Sequence, residues 1–567
     1  MKIEKQKNTS FLNNEILPID VFTPEDFTDE HRMVENMVGK FVMNEVHPKL
    51  EKIEQQDFKE TLILMEKAGE LGLIAADIPS EDGGLELGKV SATIISEKMA
   101  VGRSFSITFG GQTGIGALPI AYFGSKEQKL KYLPEILSGE KIAAYALTEP
   151  SSGTDAMSLK TTALLSECGN YYLLNGEKQW ITSSGFSDIF IVYAKVEGQK
   201  ITAFIVEKND EGVSTGPEEK KMGLKGSSTR SLILNNVKVP VENVIGEIGR
   251  GHIIAFNVLN IGRHKIAATS LGTAKRAIEL AVKYANERLQ FDQPLSNFNL
   301  IKNKIADMVI KTFANESAVY RTAGSMQNGF NKRNEFSNDY GKIISQYVME
   351  CSINKIMSTE ILDFVVDEAL QIHGGYGYME EYEIETLYRD SRITRIFEGT
   401  NEINRIVIAT TALKLEEDEI DGDIVIDGLL QHEQQVLQLM KKLFHATVLS
   451  MQEESLFNIN VEQEAAAFLA DLAIAIYAIE SSILRTEKAI QKTGQKQNSL
   501  KYDCTVVYTH EISQQIGLKA LNIINHLGDN ELFTRTASRL IMSSSVNLVE
   551  VKRRIANTVI KAERYIS

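Results

Sequence analysis

The spacing of apolar residues changes twice along this chain, and the changes divide it. From residue 24 to about residue 140 apolar side chains recur at helical intervals; 58–73 (with Gly72 near its end), 91–100 and 126–137 each read as a helix. Between them Ile78-Pro-Ser-Glu-Asp-Gly-Gly84 carries Pro and paired Gly and reads as a loop. Near Ala143 the period shortens. Residues 171–174 and 178–182, joined at Asn175-Gly176, read as a hairpin with a tight turn; 189–196 and 201–206, joined at Glu197-Gly198, read as a second, and 230–239 as further strand. Beyond Gly251 helical spacing returns and runs to about residue 415, most clearly over 274–289 and 300–313. The acidic run 416–423 reads as a solvated linker, and 424–567 is helical again, with alanine-rich stretches and few glycines. The pattern predicts a mainly α chain with a central β-barrel domain. Its parts are an N-terminal segment 1–23, a helical domain 24–142, a β barrel 143–245, a helical bundle 246–415, the linker 416–423 and a C-terminal helical domain 424–567. No internal repeat is visible.

Composition narrows the function classes. At 567 residues the chain exceeds one ordinary core, in keeping with several domains. Its 61 Lys plus Arg stand against 76 Asp plus Glu, a net charge of −15, and no basic run appears, so no nucleic-acid partner is expected. With 43% hydrophobic and 24% charged residues the chain is neither disordered nor membrane-embedded. Its most apolar window, 465–479, is interrupted by Asp471, and no stretch approaches the roughly 20 residues of a spanning helix. The chain reads as soluble, or at most in weak peripheral contact with a membrane. The opening MKIEKQKNTSFLNNEILP has neither an apolar core nor an Arg-rich amphipathic run, so no signal or transit peptide is read there. Cys168, Cys351 and Cys504 lie far apart, which suggests buried free thiols in a reducing compartment; a bacterial-type cytoplasm is the expectation.

Several chemistries drop out. Gly83-Gly-Leu-Glu-Leu-Gly-Lys-Val90 nearly matches a phosphate loop but ends in Val where Ser or Thr must ligate magnesium. There is no G-x-G-x-x-G, no H-E-x-x-H and no G-x-S-x-G, and the nine histidines show no ligand spacing, so no metal is expected. Four unusual segments remain: Ala144-Tyr-Ala-Leu-Thr-Glu-Pro-Ser-Ser-Gly-Thr-Asp155, Lys178-Gln-Trp-Ile-Thr-Ser183, Gln371-Ile-His-Gly-Gly-Tyr-Gly377 and Arg395-Ile-Phe-Glu-Gly-Thr-Asn-Glu402. The first offers hydroxyls and backbone N–H groups around a Gly turn. The second holds Trp180, the only tryptophan, beside a threonine; an aromatic so placed can cover a planar ring, or simply fill a core. The third is a turn that lets backbone approach a ligand, or a plain helix–helix loop. The fourth sets Glu398 between Phe397 and Gly399, where a carboxylate can be a base of raised pKa, or an ordinary solvated side chain.

Taken together and in this order, the four segments closely resemble the acyl-CoA dehydrogenase family over roughly residues 25–412, as do the loop 78–84 and Tyr284-Ala-Asn-Glu-Arg-Leu-Gln-Phe-Asp-Gln-Pro-Leu295. The helical tail resembles the very-long-chain branch, which carries an extra C-terminal helical domain. The resemblance implies that family's fold, a helical domain, a β barrel and a helical bundle, plus the extension. It implies FAD as cofactor: residues 145–154, with Tyr145, Leu147, Thr148 at the flavin edge and Thr154 touching cofactor and substrate; Trp180, Ile181 and Thr182 beside the ring; Arg288 and Phe291 reaching a neighbouring subunit's cofactor; Gln371, Gly374 and Gly375 packing on it; and Thr400, Asn401 and Glu402 near its phosphates and adenosine. A cofactor shared between subunits implies a homodimer or a higher homo-oligomer.

The same resemblance makes Glu398 the catalytic base. Hydrogen bonds from a flavin ribityl hydroxyl and the Glu398 backbone N–H would stabilise enolate charge on the thioester while Glu398 takes the α-proton and the β-hydrogen leaves as hydride, giving a trans-2-enoyl-CoA. Relatives that carry the base elsewhere have it at the position of Gly262, which cannot serve. Thr154, Asn260, Arg263 and Gly399 are implied substrate contacts, and Gly110 and Gly111, standing where a bulky polar residue closes the acyl cavity of medium-chain members, imply a long saturated acyl chain and a role in fatty-acid β-oxidation. Asn299 and Lys302 stand where the family often has Gln. Electrons would pass to an electron-transfer flavoprotein; the alternatives are an acyl-CoA oxidase, or a scaffold or assembly protein on the same fold. Residues 465–479 read as a core helix of the C-terminal domain, or as an amphipathic surface helix.

Overall fold

Helical spacing yields helices at each stretch it marks, some of them longer than the stretch. A computed structural model describes residues 10–13, 16–332, 339–415, 428–453, 458–527, 531–542 and 546–567. Residues 58–73 become the helix Phe58–Glu70, with Gly72 at φ +71 just past its end. Residues 274–287 of the stretch 274–289 lie in Gly251–Glu287, while Leu289 belongs to the short strand Leu289–Gln290, and 300–313 lie within Asn299–Asn331. Side-chain caps set some starts: Thr28 accepts the His31 N–H ahead of Asp29–Phe41, and Ser125 and Gln128 form a reciprocal capping box ahead of Lys126–Leu137. The acidic run 416–423 lies outside the described residues.

The β domain is an eight-stranded sheet: β1 (Ala143–Ala146), β2 (Thr162–Leu165), β3 (Tyr171–Thr182), β4 (Ile189–Val196), β5 (Lys200–Glu207), β6 (Val213–Thr215), β7 (Thr229–Pro240) and β8 (Val244–Ile245), in the order β6-β7-β3-β2-β4-β5-β8, with β1 parallel to β4. Among the described residues β6 and β8 do not pair, so the expected barrel is not closed by hydrogen bonds. Glu197 and Gly198, both at positive φ, close the β4–β5 hairpin as the sequence suggested. Asn175-Gly176 does not close one: β3 runs through it without turning. A side chain at Gly176 would come within 2.4 Å of Thr161 Oγ1, and Asn175 accepts the Asn236 N–H at 2.8 Å across a register shift. The dipeptide is a bulge rather than a turn.

The chain divides into two compact units, Met1–Phe27 with Thr273–Ser325 and Gln346–Ser567, and Thr28–Gly272 with Met326–Ser345. The second holds the sheet and the N-terminal helices. Here Lys89, at the end of the near-match to a phosphate loop, is buried and bonds Asp77 at 2.7 Å and Tyr122 Oη at 2.6 Å. The first unit contains the bundle and the C-terminal helices around one apolar core, into which Phe11 and Leu12 of the short helix Ser10–Asn13 are packed. These two residues of the N-terminal segment are therefore part of that core. Residues 465–479 lie in the helix Gln463–Thr493, which Asp471 does not interrupt because Arg405 and Lys519 neutralise its carboxylate. By length and a mean hydropathy of 1.7 this helix is long and apolar enough to cross a membrane, against the sequence expectation; its apolar window is 83% buried, as in a core helix rather than a surface one. Cys351 and Cys504 are buried, but Cys168 sits exposed in the turn between β2 and β3.

Candidate active site

The candidate residues fall in both units. In the sheet unit the segment after β1 is fixed by a buried carboxylate. Glu149 accepts hydrogen bonds from Lys178 Nζ at 2.7 Å, Thr161 Oγ1 at 2.6 Å and Thr161 N at 3.0 Å. Burial alone would raise its pKa; the Lys178 charge and these donors hold it below the ordinary carboxylate range. Lys178 also donates to Leu147 O at 3.2 Å, and Gln179 N to Thr148 O at 2.8 Å, so the loop and β3 lie side by side. Glu149 and Lys178 were not among the sequence candidates, although both lie inside its motifs.

This brace brings the flavin-side candidates together. Thr148 and Thr182 are half-buried on adjacent backbone, and Leu147 and Ile181 are turned into the core. Between Lys178 and Ile181 the register slips, which leaves Trp180 at φ +56 with its side chain 58% exposed. A left-handed tryptophan costs of order 1–3 kcal/mol and persists only where its surroundings demand it. It fills no core, so the ring stands as an open face on β3, two residues before Thr182. Thr154 is exposed two residues past the turn closed by the Glu149–Ser152 bridge, and Tyr145 is half-buried with its ring 5.1 Å from that of Tyr193.

The substrate-side candidates in this unit are Gly110, Gly111, Asn260 and Arg263. Arg263 is buried and donates to Asn260 Oδ1 at 2.8 Å, within one helix. Gly110 and Gly111 end the helix Ser104–Gly111, and a Cβ at either would meet nothing within 4 Å. Gln112 then anchors the helix end, donating to Ile136 O and Lys141 O at 2.9 and 2.8 Å and accepting the Ala143 N–H at 2.9 Å.

In the bundle unit Glu398 is half-buried at φ +56 and Gly399 follows at φ +82, two consecutive left-handed residues before the helix Asn401–Ala412. Lys355 Nζ and Asn404 Nδ2 grip the Gly399 carbonyl at 2.9 and 2.8 Å, and Thr400 caps the helix through the Ile403 N–H. The Asn401 side chain, expected near a cofactor, is buried and bonded to Lys355 Nζ at 2.7 Å, Thr359 Oγ1 at 3.1 Å and Glu360 Oε1 at 3.2 Å, so it braces the loop; Glu402 is exposed. Lys355, an isolated cation in an apolar helical stretch, was the one trace of this brace in the sequence. Away from the loop Gln371, Gly374 and Gly375 are exposed, Arg288 lies 5.5 Å from the Tyr376 ring, and Phe291 stands at φ +52, 87% exposed.

Models of the acyl-CoA dehydrogenase N-terminal domain match residues 28–140, of its middle domain 144–237, and two described as its C-terminal domain 249–413 and 439–534. A Bacillus subtilis (strain 168) protein named "Probable acyl-CoA dehydrogenase" is 45% identical over 99% of this chain and 98% of its own. The human mitochondrial very long-chain specific acyl-CoA dehydrogenase is 41% identical over 62% of this chain and 53% of its own. A crystal structure of an acyl-CoA dehydrogenase from Bacillus anthracis, complexed with FAD, is 46% identical and superposes with a TM-score of 0.95 over 99% of this chain and 100% of that one. With a full-length relative at this identity and the family's domains matched in order, the chain belongs to the acyl-CoA dehydrogenase family of oxidoreductases.

Proposed function

We propose that the protein is an FAD-dependent dehydrogenase of long-chain saturated acyl-CoA, yielding the trans-2-enoyl-CoA in fatty-acid β-oxidation and passing electrons to an electron-transfer flavoprotein. The observation that carries the reading is Glu398, a carboxylate held on a strained and doubly braced loop. Bound FAD would supply an acceptor for the hydrogen and electron pair lost from the β-carbon. The residues fit that group: Trp180 offers an uncovered ring face, and Thr148 and Thr182 offer hydroxyls at its edge. Glu398 takes the α-proton through its carboxylate, and its backbone N–H donates to the thioester oxygen, stabilising charge as it develops. Asn260 and Arg263 orient the CoA-bearing end. The uncovered Phe291, Tyr378 (85% exposed) and Leu300 (80% exposed), with Arg288, Gln371, Gly374 and Gly375, support a subunit interface, hence a homodimer or larger assembly. The cytoplasm is the proposed compartment.

The open space at Gly110 and Gly111 supports the chain-length assignment. An anaerobic visible spectrum titrated with palmitoyl-CoA and with butyryl-CoA tests it: the flavin bands should bleach with the long substrate and barely with the short. Gly111→Gln should cut kcat/KM for palmitoyl-CoA by about tenfold or more and leave butyryl-CoA unaffected or improved, since a side chain would fill the slot. Equal losses on both substrates would remove the long slot from this position. A flavoprotein bleached by neither substrate would overturn the reaction itself.

A further inference from the structure

The helix after the base loop is tied to the C-terminal helices by one guanidinium. Arg405 donates through Nε to Asp471 Oδ1 at 2.7 Å and through Nη1 and Nη2 to the Glu360 carboxylate at 2.8 and 3.1 Å. Asp471 lies on the helix Gln463–Thr493 and takes a second bond, from the exposed Lys519, at 2.6 Å. Glu360 also accepts from Asn401 Nδ2 at 3.2 Å; Asn401 Oδ1 accepts from Lys355 Nζ at 2.7 Å; and Lys355 Nζ donates to Gly399 O at 2.9 Å. An unbroken series of hydrogen bonds thus leads from the C-terminal domain to the carbonyl next to Glu398. Burial works against the Arg405 charge, yet Glu360 and Asp471 hold its pKa above the ordinary value.

We infer that Asp471 is a positioning residue for the base: through Arg405, Glu360, Asn401 and Lys355, the C-terminal helical domain sets the orientation of Glu398. The inference rests on the reading of Glu398 as base. A planar guanidinium bonded along two edges has one orientation, and each further bond inherits its geometry. Removing Asp471 frees one edge of Arg405 beside a cavity of about 220 Å³ bordered by Glu360, Arg405, Asp471 and Lys519, into which the fork can swing. The Glu360 carboxylate then loses its fixed partner, and the restraint on Asn401 and Lys355 loosens. Two consecutive left-handed residues relax readily when their bracing weakens, and proton transfer depends steeply on placement.

The test separates proton abstraction from the rest of turnover. Holoenzyme is mixed in deuterated water with a long-chain acyl-CoA whose β-carbon is replaced by sulfur. This compound can exchange its α-protons but has no β-hydrogen to give up; exchange is read by mass spectrometry and binding by titration. Asp471→Asn should exchange about tenfold more slowly with affinity within about twofold of the parent, Asp471→Glu should recover most of the rate, and Lys519→Met should match the parent. Exchange by Asp471→Asn within about twofold of the parent overturns the inference, even if its melting temperature falls, since the ion pair would then serve stability alone. If Asp471→Asn is insoluble, Arg405→Lys, which keeps the charge without the fork, is judged by the same thresholds. Glu398→Gln run alongside keeps the two ideas apart: retained exchange there removes the base assignment, whereas abolished exchange with a normal Asp471→Asn removes only the positioning role.

Discussion

Replacing Glu398 by Gln should slow flavin reduction by palmitoyl-CoA by about 10³-fold, within the range that general-base catalysis contributes, with FAD content and melting temperature unchanged. The substitution keeps the shape of the side chain and the backbone N–H but removes the group that accepts the proton. Its specificity follows from how the loop is held. Lys355 and Asn404 grip the carbonyl of Gly399, and Thr400 caps the following helix through the Ile403 N–H, so these braces do not use the Glu398 carboxylate. A variant that reduces its flavin at more than about a tenth of the parent rate would show that another group takes the proton. Loss of FAD would instead show that the loop's fold depends on the carboxylate. Anaerobic stopped-flow absorbance with a parallel cofactor assay distinguishes these outcomes. Re-oxidation in air, measured on the same samples, addresses the oxidase alternative: slow recovery of the flavin bands fits a dehydrogenase, and rapid recovery does not.

The base was legible because Arg395 to Glu402 is an unusual local string, and local strings survive in sequence. The conformation that makes it useful was not, since nothing in Phe397-Glu398-Gly399 announces a left-handed glutamate. Trp180 shows the same limit: composition leaves a core role open, while the register slip beside it turns the ring outward. Asn-Gly and Glu-Gly give the same turn signal, yet only Glu197-Gly198 turns. The difference lies in Thr161, close against Gly176, and in Asn236 opposite Asn175, partners that no local window contains. Helices were found by period, 126–137 at both ends, but others run past the clearest stretch because long buried faces carry them, as in Gln463–Thr493. The braces Glu149–Lys178 and Lys355–Gly399 escaped for a related reason, each being a pairing of residues distant in sequence within a unit. The N-terminal segment was likewise set apart by its polar composition, although Phe11 and Leu12 join the core of the bundle unit.

Glu25, two residues past that segment, takes part in the largest stability effect expected in the chain. Arg485, only 1% exposed, bonds Glu25 through Nε at 3.0 Å and Nη2 at 2.9 Å and Glu316 through Nη1 at 2.6 Å, while Glu316 also meets Lys275 and accepts from Tyr565 Oη at 2.9 Å. One buried cation thus joins Glu25, just past the N-terminal segment, to the bundle and the C-terminal helices. Arg485→Ala should cost about 3–5 kcal/mol, because it leaves two carboxylates buried with too little positive charge. This corresponds to a fall in melting temperature of roughly 3–8 °C. The pH dependence carries a definite sign. Burial opposes ionisation of Glu25 and Glu316, but Arg485, with Lys275 for Glu316, holds both below the ordinary carboxylate value of 4.5. A carboxyl depressed in the folded state contributes stability that is fully present above its unfolded pKa and is lost as pH falls through its folded one. The gap in melting temperature between parent and Arg485→Ala should therefore be full at pH 7 and narrow below about pH 4, as protonation removes the charges the guanidinium balances. Adding Glu25→Gln and Glu316→Gln to Arg485→Met should recover part of the loss, since removing a whole buried network is far less costly than breaking it. A gap that stays constant from pH 7 down to about pH 2 would mean that Arg485 contributes packing rather than charge, and no gap at pH 7 would mean that the remaining ion pairs and apolar contacts suffice without it.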